Sequence, residues 1–79
     1  MNQEPEIVKE FSVWPKGSLT IDTSDYDGND FDLKITEVHK NRAQVKTDSR
    51  EVNGKAKTIY YIRNFADSPI FVKLVRKNG

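Results

Sequence analysis

Two short runs of β-branched and aromatic residues near the C-terminal end constrain the fold of this chain more than any other feature. Residues 58–62 read TIYYI and residues 70–75 read IFVKLV, with the turn-forming segment 64–69 between them. Such residues pack well on a pleated sheet. Neither run alternates cleanly between apolar and polar positions, which is typical of strands covered on both faces. The pattern predicts that residues 58–76 form a final hairpin at the centre of an all-β domain, with Tyr61 and Val72 in its core.

The rest of the chain predicts further strands joined by tight turns. Asn53 and Gly54 are the strongest turn signal, because a type I′ turn requires positive φ at both central positions. Pro15 ends the first strand, since proline lacks the N–H that a β-ladder needs. A helix over residues 36–46 is the alternative for that segment, but its apolar stripe is too narrow to anchor such a helix. The predicted strands are residues 6–14, 18–23, 31–38, 43–52, 55–64 and 70–75.

These strands predict an all-β fold with mostly local connections, as in hairpins and meanders. About six antiparallel strands would form a small β-sandwich or a curled, barrel-like sheet. An immunoglobulin-like sandwich is one version, although the chain lacks the Cys…Trp…Cys spacing of that fold. A barrel resembling an OB or SH3 domain is the other version.

Length and composition limit the chain to one small domain. It has 79 residues and no cysteine, so no disulfide can supplement its modest core. We predict a flexible N-terminus at residues 1–5 and a single β domain over residues 6–77. The sequence contains neither the ~20 consecutive apolar residues of a membrane helix nor a signal peptide. We therefore expect no membrane insertion, and the sequence leaves the compartment open between the cytoplasm and, if a leader has been removed, an extracytoplasmic location.

Charge is distributed unevenly along the chain. Residues 1–39 contain nine acidic and three basic side chains, a net charge of −6. Residues 40–79 contain ten basic and three acidic side chains, a net charge of +7. This asymmetry has three interpretations: complementary neighbouring strands, a basic binding face, or head-to-tail self-association.

The acidic segment 22–32 raises the question of a calcium site, because carboxylates supply the hard oxygen ligands that Ca²⁺ prefers. An EF-hand loop needs glycine at its sixth position and glutamate at its twelfth. With Gly28 placed sixth, Thr23 is first and Lys34 is twelfth, so the pattern fails at both ends. A solvated loop is therefore the stronger prediction and a weak calcium site the alternative. The candidate ligands are Asp25, Asp27, Asp30 and Asp32.

Cationic and aromatic side chains on the last strands could share one face, as in small barrels that stack nucleic-acid bases on aromatic rings. Aromatic residues in paired strands more commonly belong to the core, and this nearly neutral chain is less basic than most nucleic-acid-binding domains. Trp14 ends a strand, where it would either anchor a partner or, more commonly, cover the core. The candidate binding residues are Trp14, Tyr60, Arg63, Phe71, Lys73 and Arg76.

The sequence has no motif that indicates catalysis. His39 is the only histidine, and without cysteine or a second histidine it cannot build a zinc site of the usual kind. We predict a surface position for it. No nucleophile elbow, phosphate loop or HExxH motif is present. We therefore expect a non-enzymatic protein without a cofactor or a metal.

These observations predict an interaction or assembly module. The expected partner is another protein, or further copies of this chain, bound through an exposed strand edge or a charged face. The alternative is a small β-barrel that binds nucleic acid with its basic C-terminal half.

Overall fold

Antiparallel strands dominate the computed structural model of the chain, which describes residues 6–27, 30–36 and 41–76. A three-residue 3₁₀ helix, Thr23–Asp25, follows the second strand. None of the described residues belongs to an apolar helix of membrane-spanning length. The strands are β1 (Glu6–Val13), β2 (Ser18–Asp22), β3 (Phe31–Ile35), β4 (Ala43–Val52), β5 (Lys55–Asn64) and β6 (Ile70–Arg76).

Several predictions fall on residues outside this description. They are the flexible N-terminus 1–5, the end of the predicted strand 31–38, the glycine of the acidic loop, the end of the single domain at residue 77, and the surface position of His39.

The strands form two three-stranded antiparallel sheets, in the orders β1-β6-β3 and β2-β5-β4. This arrangement confirms the all-β prediction in its sandwich version, and the described strands do not close into a barrel. The predicted final hairpin is wrong, because β5 and β6 are the central strands of different sheets. The segment 65–69 crosses between the sheets instead of reversing within one. The prediction of mostly local connections is also wrong, since only β4 and β5 pair as sequence neighbours.

The turn chemistry was predicted more accurately than the topology. Both β4 and β5 have the predicted bounds, and the turn between them has φ of 52° at Asn53 and 78° at Gly54, as a type I′ turn requires. The strands β1 and β2 each end one residue earlier than predicted. The alternative helix over residues 36–46 is wrong for residues 43–46, because these residues belong to β4.

The core lies between the two sheets and draws mainly on the two apolar runs. The runs alternate over residues 60–62 and 70–74, where Tyr61 is 41% exposed and Phe71 is 56% exposed, so aromatic residues occupy outward positions. The alternation ends at Val75, which is buried although it follows the buried Leu74. The prediction that Tyr61 belongs to the core is therefore wrong, whereas Val72 is fully buried as predicted. The buried core cluster contains Val13, Ile21, Tyr60, Ile62, Ile70, Val72 and Leu74.

The sheet order bears on the uneven charge. Each sheet combines at least one strand from the acidic first half with a central strand from the basic second half. Two ion pairs between described residues, Lys73–Glu10 and Arg76–Glu6, join the neighbouring strands β6 and β1 and favour the interpretation as complementary neighbouring strands. Of the other two, Arg50–Asp22 joins β4 to β2 across the sheet, and Lys16–Asp67 lies outside the strands.

Candidate functional site

The outer face of the β2-β5-β4 sheet carries a row of aromatic and cationic side chains. Along β5, Tyr60 and Ile62 point into the core, so Tyr61 and Arg63 point outward by the alternation of a strand. The register places Lys46 of β4 opposite Tyr61, and Gln44 of β4 opposite Arg63. On the other side of β5, Thr20 of β2 lies opposite Tyr61. We call this surface the Tyr61 face; it comprises Lys16, Ser18, Thr20, Gln44, Lys46, Tyr61 and Arg63.

A shallow depression of about 380 Å³ lies on the Tyr61 face. Three cations, Lys16, Lys46 and Arg63, surround it, and Tyr61 contributes the exposed ring. None of the described residues that line it is acidic. The remaining lining residues are small, polar or part of the sheet: Gly17, Ser18, Leu19, Thr20, Gln44 and Ile62.

Two of the three cations are held in place by the protein. The Arg63 guanidinium lies 5.3 Å from the centre of the Phe65 ring, within the range of a cation–π contact. The Lys16 ammonium donates to the Phe65 carbonyl oxygen at 2.8 Å and lies 3.4 Å from a carboxylate oxygen of Asp67. Lys46 has no carboxylate within ion-pair distance among the described residues. The Tyr61 face therefore keeps an uncompensated positive charge.

A buried side chain, Asn64, fixes the turn that brings Lys16 to this face. Its amide nitrogen donates to the carbonyl oxygens of Val13 and Trp14, both at 3.1 Å, and to that of Ser68 at 2.9 Å. Its side-chain oxygen accepts from the Ala66 N–H at 2.8 Å. Because these bonds join the end of β1 to the end of β5, the turn after β1 is held beside the depression.

The turn itself is strained at Lys16. The Gly17 N–H donates to the Trp14 carbonyl oxygen at 2.9 Å and closes the turn. Lys16 has φ of 60°, in the left-handed region that non-glycine residues seldom adopt. This conformation persists although glycine would adopt it more readily. A lysine at this position gives the depression one of its three cations.

The structure separates the residues that the sequence grouped as one binding surface. Tyr60 is 8% exposed and its hydroxyl donates to the Phe31 carbonyl oxygen at 3.3 Å, so the prediction that it belongs to an exposed surface is wrong. Phe71 and Lys73 lie on β6 and face outward from the other sheet. They cannot share a face with Arg63, because β5 and β6 are in different layers.

The contacts of Arg76 are with residues of the fold outside the Tyr61 face. One of its guanidinium nitrogens donates to a Glu6 carboxylate oxygen at 2.9 Å, and the other donates to the Asp27 carbonyl oxygen at 2.6 Å. Its guanidinium also lies 5.7 Å from the centre of the Phe31 ring. These contacts tie the end of β6 to β1 and to the segment before β3.

Trp14 is 79% exposed, so the expectation that it covers the core is wrong. The physical reason is that β1 ends at Val13, whose side chain fills the core position at this end of the sandwich. Trp14 is in the turn that also carries Lys16. Phe65, which follows β5, is 49% exposed, and its carbonyl oxygen accepts a hydrogen bond from the Lys16 ammonium. An aromatic end of the sandwich therefore adjoins the Tyr61 face.

The acidic segment does not form a metal site in the part of the chain that the structure describes. Within those residues no group of three or more His, Cys, Asp or Glu side chains is placed to hold a metal ion. The candidates Asp25, Asp27, Asp30 and Asp32 are thus not brought together as a ligand set. The Asp32 carboxylate instead accepts from the N–H of Leu33 at 2.9 Å.

Two titratable groups have shifted pKa values. The hydroxyl and the backbone N–H of Ser24 donate to the Asp22 carboxylate, and with the nearby Arg50 guanidinium they lower the pKa of Asp22. Burial raises the pKa of the Tyr60 phenol, and the negative charge of Asp32 adds to the shift. Both groups support the fold and neither lines the depression.

Sequence reasoning missed Tyr61, which it assigned to the core, and also missed Lys16, Lys46 and Gln44 as members of the site. A signal for Lys46 and Gln44 was available. A two-residue turn at Asn53 and Gly54 fixes the register of the whole β4–β5 hairpin, so it places Lys46 beside Tyr61 and Gln44 beside Arg63. No local signal marks Lys16, because its position depends on the side-chain bonds of Asn64.

The chemistry of the Tyr61 face suits recognition of an anion next to an apolar group. Lys46 offers a point charge, Arg63 offers a planar donor set, and the Tyr61 ring offers apolar surface with a polar tip. A scan of protein-family models, a search of curated proteins and a search of solved structures each found no match. The function of the chain is therefore inferred from the geometry of its own residues.

Proposed function

We propose that this chain is a non-catalytic protein-interaction module that binds an acidic segment of a partner protein on the Tyr61 face. The observation that carries the proposal is the depression in which three cations and no carboxylate surround a half-exposed tyrosine. A surface of this kind attracts carboxylates, and its ring gives a bound segment an apolar contact.

The residue types on and beside the Tyr61 face are those that dominate protein interfaces. Tyrosine, tryptophan and arginine are enriched among residues whose truncation weakens binding by more than ~2 kcal/mol. Here Tyr61, Arg63 and the adjacent Trp14 are all outside the core. Because Arg63 is already stacked on Phe65, less side-chain freedom is lost when it contacts a ligand.

The lining supports a binding role more than a catalytic one. It contains no histidine, cysteine or carboxylate that could act as a general acid, a general base or a thiolate nucleophile. The depression is also open to solvent across the sheet face, so it offers little desolvation to a reacting group.

A second candidate function is binding of single-stranded nucleic acid. The specific observation that favours it is the proximity of Tyr61 to Lys46 and Arg63, since a base can stack on an aromatic ring while cations contact the phosphates. The small number of cations on the face favours the protein partner, because nucleic-acid affinity grows with the number of phosphates neutralised.

A displayed library of random peptides, selected on the immobilised full chain, tests the proposal. We expect enriched peptides that combine Asp or Glu with apolar residues. Their affinity for the Arg63→Glu variant should fall at least about tenfold, because a repelling charge replaces an attracting one. The matched control is Lys34→Glu, a charge reversal of the same sign on the outer face of the other sheet.

The proposal fails if no acidic peptide is enriched, or if Arg63→Glu binds the selected peptides as well as Lys34→Glu does. A parallel titration with fluorescent oligothymidylate at low salt decides the second candidate. Binding that is lost in Arg63→Glu would establish the nucleic-acid function, and absence of binding at low salt would eliminate it, since phosphate contacts are strongest there.

A further inference from the structure

The four strands at the edges of the two sheets differ in how well they are protected from pairing with another chain. Among the described strands, β1 has an irregular register between Ile7 and Lys9, and bulges of this kind discourage further pairing. Both β2 and β3 have only five residues. In contrast, β4 has ten residues in unbroken register with β5 and contains no proline or glycine. The edge that remains suited to pairing is therefore that of β4.

The backbone of β4 presents hydrogen-bonding groups along this edge. The Ser49 N–H donates to the Asp48 carboxylate of the preceding residue at 2.8 Å, not to β5. In an antiparallel ladder, alternate residues bond to the same neighbour, so the N–H groups of Val45 and Thr47 face the same way as that of Ser49. The Asp48 carboxylate thus binds one of the backbone N–H groups that face this edge of the sheet.

This strand also extends beyond the rest of the sandwich. Val45 faces inward by register but is 40% exposed, and Thr47 and Ser49 on the same side are exposed as well. Pairing of β2 with β5 ends at Ile59, so the hairpin beyond that point has no third strand beside it, although the Thr23 hydroxyl still donates to the Thr58 carbonyl oxygen at 2.6 Å. A two-stranded ribbon has little stability of its own in water, and a further strand would stabilise it.

We propose that two copies of this chain associate by antiparallel pairing of their β4 strands, centred on Thr47. The two β2-β5-β4 sheets then form one continuous six-stranded sheet with two-fold symmetry. The exposed odd-numbered residues of β4 provide the hydrogen-bonded positions. In this arrangement the Ser49 N–H bonds to the carbonyl oxygen of the partner's Val45, which releases Asp48.

Charge complementarity selects this register. With Thr47 at the centre, Lys46 lies opposite the partner's Asp48, and the symmetry repeats this pair, so two attractive pairs form. Centring on Asp48 would place two aspartates together, and centring on Lys46 would place two lysines together. Centring on Ser49 would oppose Asp48 with the partner's Arg50, but Arg50 already binds Asp22 at 3.0 Å.

The symmetry has a consequence for the binding face. A two-fold axis perpendicular to the sheet puts both Tyr61 faces on the same side of the dimer. Because Lys46 is paired with the partner's Asp48 in this dimer, Lys16 and Arg63 are the cations left for a ligand on each face. A partner with two acidic segments could bind both faces through them, and the second contact would benefit from a high effective concentration. Self-association itself rests on β4 alone and does not depend on the proposed binding function.

Sedimentation velocity over a range of concentrations, without any ligand, tests the pairing. We expect the chain to dimerise, and Lys46→Asp and Asp48→Lys each to weaken dimerisation at least about tenfold, because each turns attractive pairs into repulsive ones. An equimolar mixture of the two variants should recover the dimer. One variant then has Asp at both positions 46 and 48 and the other has Lys at both, so both facing pairs are attractive. A chain that stays monomeric at the highest concentration, or a mixture without recovery, would overturn the proposal.

A substitution in the backbone provides an independent test. Thr47→Pro removes an N–H that faces the open edge and leaves the bonds to β5, so the domain should fold and remain monomeric. Thr47→Val keeps the N–H and should dimerise like the unchanged chain. Circular dichroism and thermal melting of each variant verify folding. Equal dimerisation of a folded Thr47→Pro and Thr47→Val would contradict the proposal, and the charge variants decide it if Thr47→Pro does not fold.

Discussion

The side chain of Asn64, at the end of β5 in one sheet, donates to the carbonyl oxygen of Val13, at the end of β1 in the other, at 3.1 Å. This bond joins the two layers at the point where the chain crosses between them. The backbone N–H of Asn64 also donates to the Gly17 carbonyl oxygen at 2.9 Å. One residue therefore closes the sandwich and holds the turn that carries Lys16 to the Tyr61 face.

Replacing Asn64 should strongly destabilise the domain. Asn64→Ala leaves buried carbonyl groups without a donor, and we expect a loss of about 2–4 kcal/mol in the free energy of unfolding. Asn64→Asp keeps the shape but puts a carboxylate next to those carbonyl oxygens, so it should destabilise at least as much. Urea unfolding measures both. The exposed Asn41 provides the control, and Asn41→Asp should change the stability by less than about 0.5 kcal/mol.

Two residues of the apolar runs should respond in opposite ways to truncation. Val72 is fully buried, and Val72→Ala should lower the free energy of unfolding by about 2–3 kcal/mol through lost burial and a cavity. Tyr61 is exposed, so Tyr61→Ala should lower it by at most about 1 kcal/mol while weakening peptide binding. Thermal melting and a binding titration separate the effects. A larger loss of stability in Tyr61→Ala would show that the ring belongs to the core.

Substitution of Lys16 should weaken peptide binding and change the stability of the fold only slightly. Glycine adopts positive φ without strain, so Lys16→Gly should be stable to within about 1 kcal/mol of the unchanged chain despite losing the bond to Phe65. It should nevertheless bind acidic peptides less tightly, because one of three cations is gone. Lys16→Asn is the companion variant, since asparagine tolerates this backbone and also lacks the charge. Unchanged peptide affinity in both variants would exclude Lys16 from the binding face.

Asp22 should make the stability depend on pH. Its pKa is lowered in the folded chain, so the unfolded chain binds more protons in the acidic range. The stabilisation is present above the ordinary pKa of aspartate, about 3.9, and is lost as the pH falls through the lowered value. We expect the melting temperature of Asp22→Asn to lie furthest below that of the unchanged chain near neutral pH, and the difference to shrink below about pH 4.

The control for this titration is Asp67→Asn. Asp67 contacts Lys16 only as an exposed ion pair, and such pairs contribute little to stability. Its substitution should leave the melting temperature nearly unchanged across the same pH range. A constant difference for Asp22→Asn from neutral to acidic pH would contradict the role assigned to the Asp22 carboxylate.

Local patterns predicted the strands well because their signals are local. The Asn53–Gly54 turn and the flanking β-branched residues place β4 and β5 to the residue. The pairing of β1 with β6 could not be obtained in this way, because it joins residues 70 positions apart, such as Glu6 and Arg76. The turn-like segment between β5 and β6 looks the same whether it reverses within a sheet or crosses between sheets.

In the candidate site, too, local patterns identify some residues and only the tertiary structure identifies the others. Arg63 was identified from its residue type, and the hairpin register places Lys46 beside Tyr61. Tyr60 was mistaken for a contact residue because adjacent tyrosines give no sign of which one faces the core. Tyr60 faces the core because it packs with buried neighbours such as Ile21, which lies opposite it on β2. Only the tertiary pairing of the strands brings these residues together.

We propose that ligands bind on the outer face of the β2-β5-β4 sheet. An NMR titration of the ¹⁵N-labelled chain with a selected acidic peptide tests this binding at the level of single residues. We expect the amide shifts of residues 16–20, 44–46 and 61–63 to change. Changes concentrated at Phe71 and Lys73, on the outer face of the opposite sheet, would contradict it.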